Sequence, residues 1–133
     1  MTGPALFMVT VVVPDMDDAI AHYTRDWGFS LWREDRHESG HRWVEIATGD
    51  CGLRLRLVEA SDDAQLAAVG RQVGSRVAFF LRSQNLDMDI SRIMAGGVTI
   101  LEPERDEAYG RVVVLADKFG NRWDLIEPKV MSR

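Results

Sequence analysis

Arginine and leucine alternate in GLRLRLVEA (52–60), so that Leu53, Leu55 and Leu57 share one side of an extended chain while Arg54, Arg56 and Val58 share the other. The same alternation in RVAFFLR (76–82) sets Arg76, Ala78, Phe80 and Arg82 against Val77, Phe79 and Leu81. Near the end of the chain, Arg122, Asp124 and Ile126 oppose Trp123 and Leu125. Guanidinium forks suit carboxylates and phosphates, and aromatic faces suit a planar apolar body or the guanidinium itself. With Met8, Trp43 and Glu45 phased onto the same open side, the expected ligand-binding set is Met8, Trp43, Arg54, Arg56, Arg76, Phe80 and Asp124. That set describes a cleft for a small, partly aromatic anion, with Asp124 and Glu45 as the carboxylates able to accept a proton. A competing arrangement pairs Arg56 and Arg76 with Asp124 and Glu45 in a structural network, because unpaired charge in a half-buried cleft is costly.

Other reactive side chains carry less. His22 falls within a predicted helix beside Tyr23, where an exposed or helix-packing role is expected. His37 and His41 flank Glu-Ser-Gly, a hairpin tip that leaves them on a solvated turn. The single Cys51, in the turn TGDCG, forms no internal disulfide, which fits a reducing cytoplasm.

The elements that position these residues come in two copies. Segment 42–60 lies without a gap on segment 110–128, an offset of 68 residues, and the same offset lays MVTVVV (8–13) on RVAFFL (76–81). Each copy reads as a strand, a helix and three strands. The first strand ends at Pro14, Asp15 caps the helix, and Gly28 stops it after Ala19, Ile20, Tyr23 and Trp27 have recurred at helical spacing. Strands follow at 29–36, 41–48 and 53–59. In the second copy they are expected at 76–82, 98–102, 111–116 and 121–127, with a helix near 85–95 and a charged loop at 102–110 able to cover a site. The domain organisation is thus one domain over 1–133, built of repeats 6–59 and 75–128 and a linker at 60–74 with a helical turn at 64–69. Trp27 and Trp123 fall on the helix side and are expected in the core, whereas Trp32 fits either face.

Asp15, Asp17, Ala19, Tyr23, Gly28 and Phe29, together with DKFGNRWDLIEP (117–128), resemble the vicinal oxygen chelate superfamily of glyoxalase I, extradiol dioxygenases, fosfomycin-resistance enzymes and bleomycin-binding proteins. The resemblance implies an α+β fold of two βαβββ modules forming a curved mixed sheet around a cleft. It also implies four positions at which catalytic members hold a divalent metal, and these align with Met8, Arg56, Arg76 and Asp124. Arginine has no lone pair to give and a thioether suits hard ions poorly, so no metal and no other cofactor is expected.

The net charge of -5 argues against a nucleic-acid partner, and no apolar stretch approaches the ~20 residues of a membrane span. With 46% hydrophobic residues the chain has the composition of an ordinary soluble protein. Two functional classes remain: a metal-independent small-molecule binding protein, and an enzyme of the same superfamily working through an Arg/Asp cleft or a non-standard metal site. Modules of this length are small, and pairing of modules predicts a homodimer.

Overall fold

The computed structural model describes residues 3–50 and 52–129; Cys51 lies outside them. The chain divides into two compact units, Met1–Leu66 and Ala67–Arg133. Each contains a four-stranded mixed sheet with its helix packed on one face, an α+β arrangement of two repeated modules.

In the first unit, β-branched residues fill strand β1 (Met8–Val13). Helix α1 (Met16–Ala21) follows, then a π turn (His22–Asp26) and strands β2 (Ser30–Arg36), β3 (Arg42–Ala47) and β4 (Arg54–Glu59). The order across the sheet is β1-β4-β3-β2, with β1 parallel to β4 and the other pairs antiparallel. Asp15 caps α1 by accepting from the Asp18 amide at 2.9 Å. The Glu59 carboxylate accepts from the Met16 amide at 2.8 Å, fastening the end of β4 to the first turn of α1. Val11, Val13, Val44, Ile46, Leu55 and Leu57 are buried, as are Ala19 and Tyr23, and α1 packs on β4, so the leucines do face the helix.

The helix does not run unbroken to Gly28 as its periodicity suggests. It widens at His22, whose carbonyl accepts from the Trp27 amide at 3.3 Å, and Gly28 then turns the chain at φ 74°. The widened turn accommodates a buried polar chain. His22, fully buried, places Nδ1 2.8 Å from Asp26 Oδ2, and Trp27 Nε1 donates to His22 Nε2 at 3.0 Å. An indole nitrogen only donates, so Nε2 accepts and the proton lies on Nδ1, directed at Asp26. Arg25 completes the chain through a 2.9 Å bond to Asp26 Oδ1, and this bond chiefly holds the Asp26 carboxyl below the usual carboxylate range. Of the two roles expected for His22, exposed or helix-packing, the structure shows the second, with bonds to Asp26 and Trp27 added to it.

A second short helix, α2 (Asp63–Ala68), occupies the linker, and the division into units falls within it. The second unit holds β5 (Phe79–Arg82), α3 (Leu86–Ile93), β6 (Thr99–Glu107), β7 (Gly110–Ala116) and β8 (Arg122–Pro128) in the order β5-β8-β7-β6. Asn85 caps α3 through the Met88 amide at 3.1 Å, and Glu127 accepts from the Leu86 amide at 2.8 Å, the counterparts of Asp15 and Glu59. Of the segment read as a charged loop at 102–110, residues 102–107 are the far half of β6, where Glu102, Arg105 and Asp106 pair with Val114, Val112 and Arg111, and the rest is the turn into β7. Its side chains are mostly exposed, which hides the strand from any hydrophobic alternation.

The two copies are not related by one offset. The helix caps Asp15 and Asn85 stand 70 residues apart, whereas Glu59 and Glu127 stand 68 apart. Strand register agrees: Met8 pairs with Arg54 in β1–β4, while Phe80 pairs with Asp124 in β5–β8. The counterpart of Met8 is therefore Ala78, and Arg76 lies before β5, in the chain leaving the turn at Gly74. The turn consumes these residues through bonds from the Gly74 amide to Arg71 O and from the Arg76 amide to Val73 O.

Removing the His22 imidazole strips partners from both Asp26 and Trp27. His22→Ala is expected to lower unfolding free energy by about 2–4 kcal/mol, measured by urea denaturation, with Asp26→Asn losing less.

Candidate functional site

In the first unit the open side of the sheet carries Arg54 and Arg56, each laid on an indole. The Arg56 guanidinium carbon is 3.9 Å from the Trp43 ring centroid, and that of Arg54 is 4.0 Å from Trp32. Register explains the pairing, since Glu45 stands opposite Arg56 on β4 and Trp43 two residues along β3 reaches the same side. The Glu45 carboxylate orders the group: Trp43 Nε1 donates to it at 2.8 Å, and Arg54 Nε lies 4.0 Å away. Arg54 also donates to the Gly52 carbonyl at 2.7 Å. The Nε atoms of Arg54 and Arg56 are buried without a hydrogen-bond partner. Trp32, left open to either face by the sequence, joins the open side and is 59% exposed. Met8 belongs to the same side, opposite Arg54 on β1.

On the open side of the second unit, Glu102, Val114, Asp124 and Phe80 form a row across β6, β7, β8 and β5. Asp124 Oδ1 is buried without a hydrogen-bond partner. Burial pushes its carboxyl above the ordinary aspartate range, Arg105 draws it down and Glu102 pushes it up. Within the first unit Arg56 stacks on Trp43 and Glu45 is met by Arg54; within the second, among the described residues, Asp124 and Arg76 form no ion pair with each other. Stacking satisfies a guanidinium face without a carboxylate, which is why the pairing is not required. Phe80 is 68% exposed and bounds a hollow of about 520 Å³ together with Arg76, Glu102 and Arg122. Arg122 was missing from the expected set although alternation puts it beside Asp124; Trp27 and Trp123, at 6% and 1% exposure, are core as expected.

The metal positions implied by resemblance offer poor donors. Met8 and Arg56 stand in the first unit, and Asp124 with Ala78, not Arg76, in the second. Among the described residues no group of three or more His, Cys, Asp or Glu side chains is placed to hold an ion. Thioether, guanidinium and methyl groups leave one carboxylate, which does not fit a divalent metal centre.

The fold, its paired βαβββ units and these residues define a superfamily. Residues 5–125 match the Glyoxalase/Bleomycin resistance protein/Dioxygenase superfamily, and the chain belongs to it. A protein of uncharacterised function from Shewanella frigidimarina (strain NCIMB 400) is 34% identical over 121 residues, 90% of each chain. Among solved structures, TnmS3, an antibiotic binding protein from Streptomyces sp. CB03234, is similar with a TM-score of 0.74 at 23% identity, covering 97% of this chain and 99% of that one. The fosfomycin resistance protein FosX from Listeria monocytogenes is similar with a TM-score of 0.69 at 18% identity, covering 98% and 96%. No helix among the described residues is long and apolar enough to cross a membrane.

The raised pKa of Asp124 fixes a sign. Folded protein binds the proton more tightly than unfolded chain, so the group favours folding at low pH, and that contribution is lost as pH rises through the folded value. Asp124→Asn is expected to raise the melting temperature by a few degrees near neutral pH and to change it little where Asp124 is already protonated. A melting series across pH checks this.

Proposed function

We propose that the protein is a metal-independent small-molecule binding protein of the glyoxalase/bleomycin-resistance type, acting in the cytoplasm as a homodimer. The observation that carries this reading is the pair of guanidinium–indole stacks, Arg56 on Trp43 and Arg54 on Trp32. Held by Glu45 and the Gly52 carbonyl, this surface is ordered before any ligand arrives, which lowers the entropy cost of binding. A partly aromatic ligand stacks on the exposed Trp32 indole and beside Met8. The similarity to an antibiotic binding protein supports the same class of activity.

A thermal-shift screen of aromatic acids and planar antibiotics tests the reading, since a ligand at a hundred times its dissociation constant adds about 2.7 kcal/mol to stability. A stabilising hit whose effect is lost in Trp43→Ala is expected. Nickel, zinc, iron or manganese near one per chain, retained through brief chelation and lost in Asp124→Ala, overturns metal independence.

The dimer proposal rests on size and surface. Each unit is small for independent stability, and Leu6, Phe7 and Phe80 are 75%, 64% and 68% exposed. Light scattering at micromolar concentration is expected to give twice the chain mass, and a single chain mass sinks the proposal.

One observation favours a second, catalytic reading: Asp124 keeps a carboxyl oxygen buried and unpartnered, with its pKa raised toward that of a working base. A ligand that is turned over, with Asp124→Asn abolishing turnover and preserving binding, distinguishes an enzyme from a carrier.

A further inference from the structure

The hollow on the open side of the second unit has a charge balance that differs from its residue count. Two arginines and one glutamate border it, Arg76, Arg122 and Glu102, and Asp124 lies in the same row between Val114 and Phe80 with its carboxyl pushed by burial toward the neutral form. The glutamate is already engaged, because Arg105 Nη1 donates to Glu102 Oε1 at 2.7 Å, a guanidinium that Glu102 shares with Glu107. Arg122 donates one N–H to the Ser75 carbonyl at 2.8 Å, a neutral acceptor that orients the guanidinium, and among the described residues it forms no ion pair. Arg76 is exposed and forms no ion pair among the described residues. Phe80 and Leu101 supply an apolar border, 68% and 39% exposed.

We infer that this hollow is an anion subsite: Arg76 and Arg122 hold a carboxylate, phosphate or sulfonate group of a small molecule whose apolar body rests on Phe80 and Leu101. The inference rests on the small-molecule-binding reading and adds to it the place where the acid group is held. The Ser75 carbonyl fixes the Arg122 fork, so one of the two cations is positioned in advance, while Arg76 closes from the turn preceding β5. A monoanion between two such forks gains charge-assisted hydrogen bonds that an uncharged analogue of the same shape does not make.

Two fluorescent probes test it, anilinonaphthalenesulfonate and the uncharged phenylnaphthylamine, which share an aromatic body and differ in the acid group. The wild-type protein is expected to bind the sulfonate at least roughly tenfold more tightly, with the preference shrinking as salt is added. Arg76→Ala and Arg122→Gln are each expected to remove most of that preference while retaining affinity for the uncharged probe; glutamine keeps a donor for the Ser75 carbonyl, and circular dichroism verifies the fold. Equal wild-type affinity for the two probes overturns the subsite. Loss of preference in Arg56→Gln with none in Arg76→Ala or Arg122→Gln also overturns it, moving the acid group to the first unit and leaving small-molecule binding standing. Failure of both probes, alongside ligands found in the broader screen, overturns the subsite alone; failure of both probes and of the screen overturns the parent reading.

Discussion

In each unit a glutamate at the end of the last strand accepts a hydrogen bond from the first helical amide, Glu59 from Met16 and Glu127 from Leu86. A carboxylate there satisfies an amide that the helix leaves without an internal partner and sits at the positive end of the helix dipole. The bond also joins residues 43 and 41 positions apart, so it sets how far the parallel strand runs before the helix begins. Slipping β4 by one residue would carry Glu59 to the other side and present the leucines to solvent. The helix-side core and the arginine-bearing open side are therefore two results of one register.

That shared register supports different chemistry in the two units. The first turns its open side into a stacked cationic and aromatic surface, with Glu45 bound into it. The second keeps an unpartnered carboxylate at Asp124 and a separate arginine hollow. At the positions that the resemblance implies for a metal, Met8 and Ala78 are apolar while Arg56 and Asp124 are polar, so the open sides are not simply apolar filling.

Much of this was legible in the sequence, for physical reasons. GLRLRLVEA announces its faces because leucine and arginine differ so sharply in hydration, and Asp15 and Gly28 mark helix ends because few other residues satisfy or permit those backbone positions. The partners of the arginines were less legible: whether Arg56 meets a carboxylate or an indole depends on distances across strands that alternation does not encode. The displaced β5 escaped because MVTVVV and RVAFFL are both apolar, so an ungapped overlay looks satisfactory while hiding a difference of two residues. Asn85, the cap of α3, was the available signal, standing 70 residues after Asp15. The outer half of β6 escaped because Glu102 to Glu107 face solvent and give no hydrophobic rhythm.

The four tryptophans fall into two pairs with separate surroundings. Trp27 and Trp123 are buried and donate their indole protons to His22 and Asp117, whereas Trp32 and Trp43 lie under guanidinium groups on the first unit's open side. The protein consequently carries two sets of intrinsic chromophores. Emission from the buried pair follows unfolding of each unit, and under the proposed function emission from the stacked pair, where Trp32 is open to collisional quenchers, follows occupancy of the arginine surface, so one spectrum separates loss of structure from arrival of a ligand.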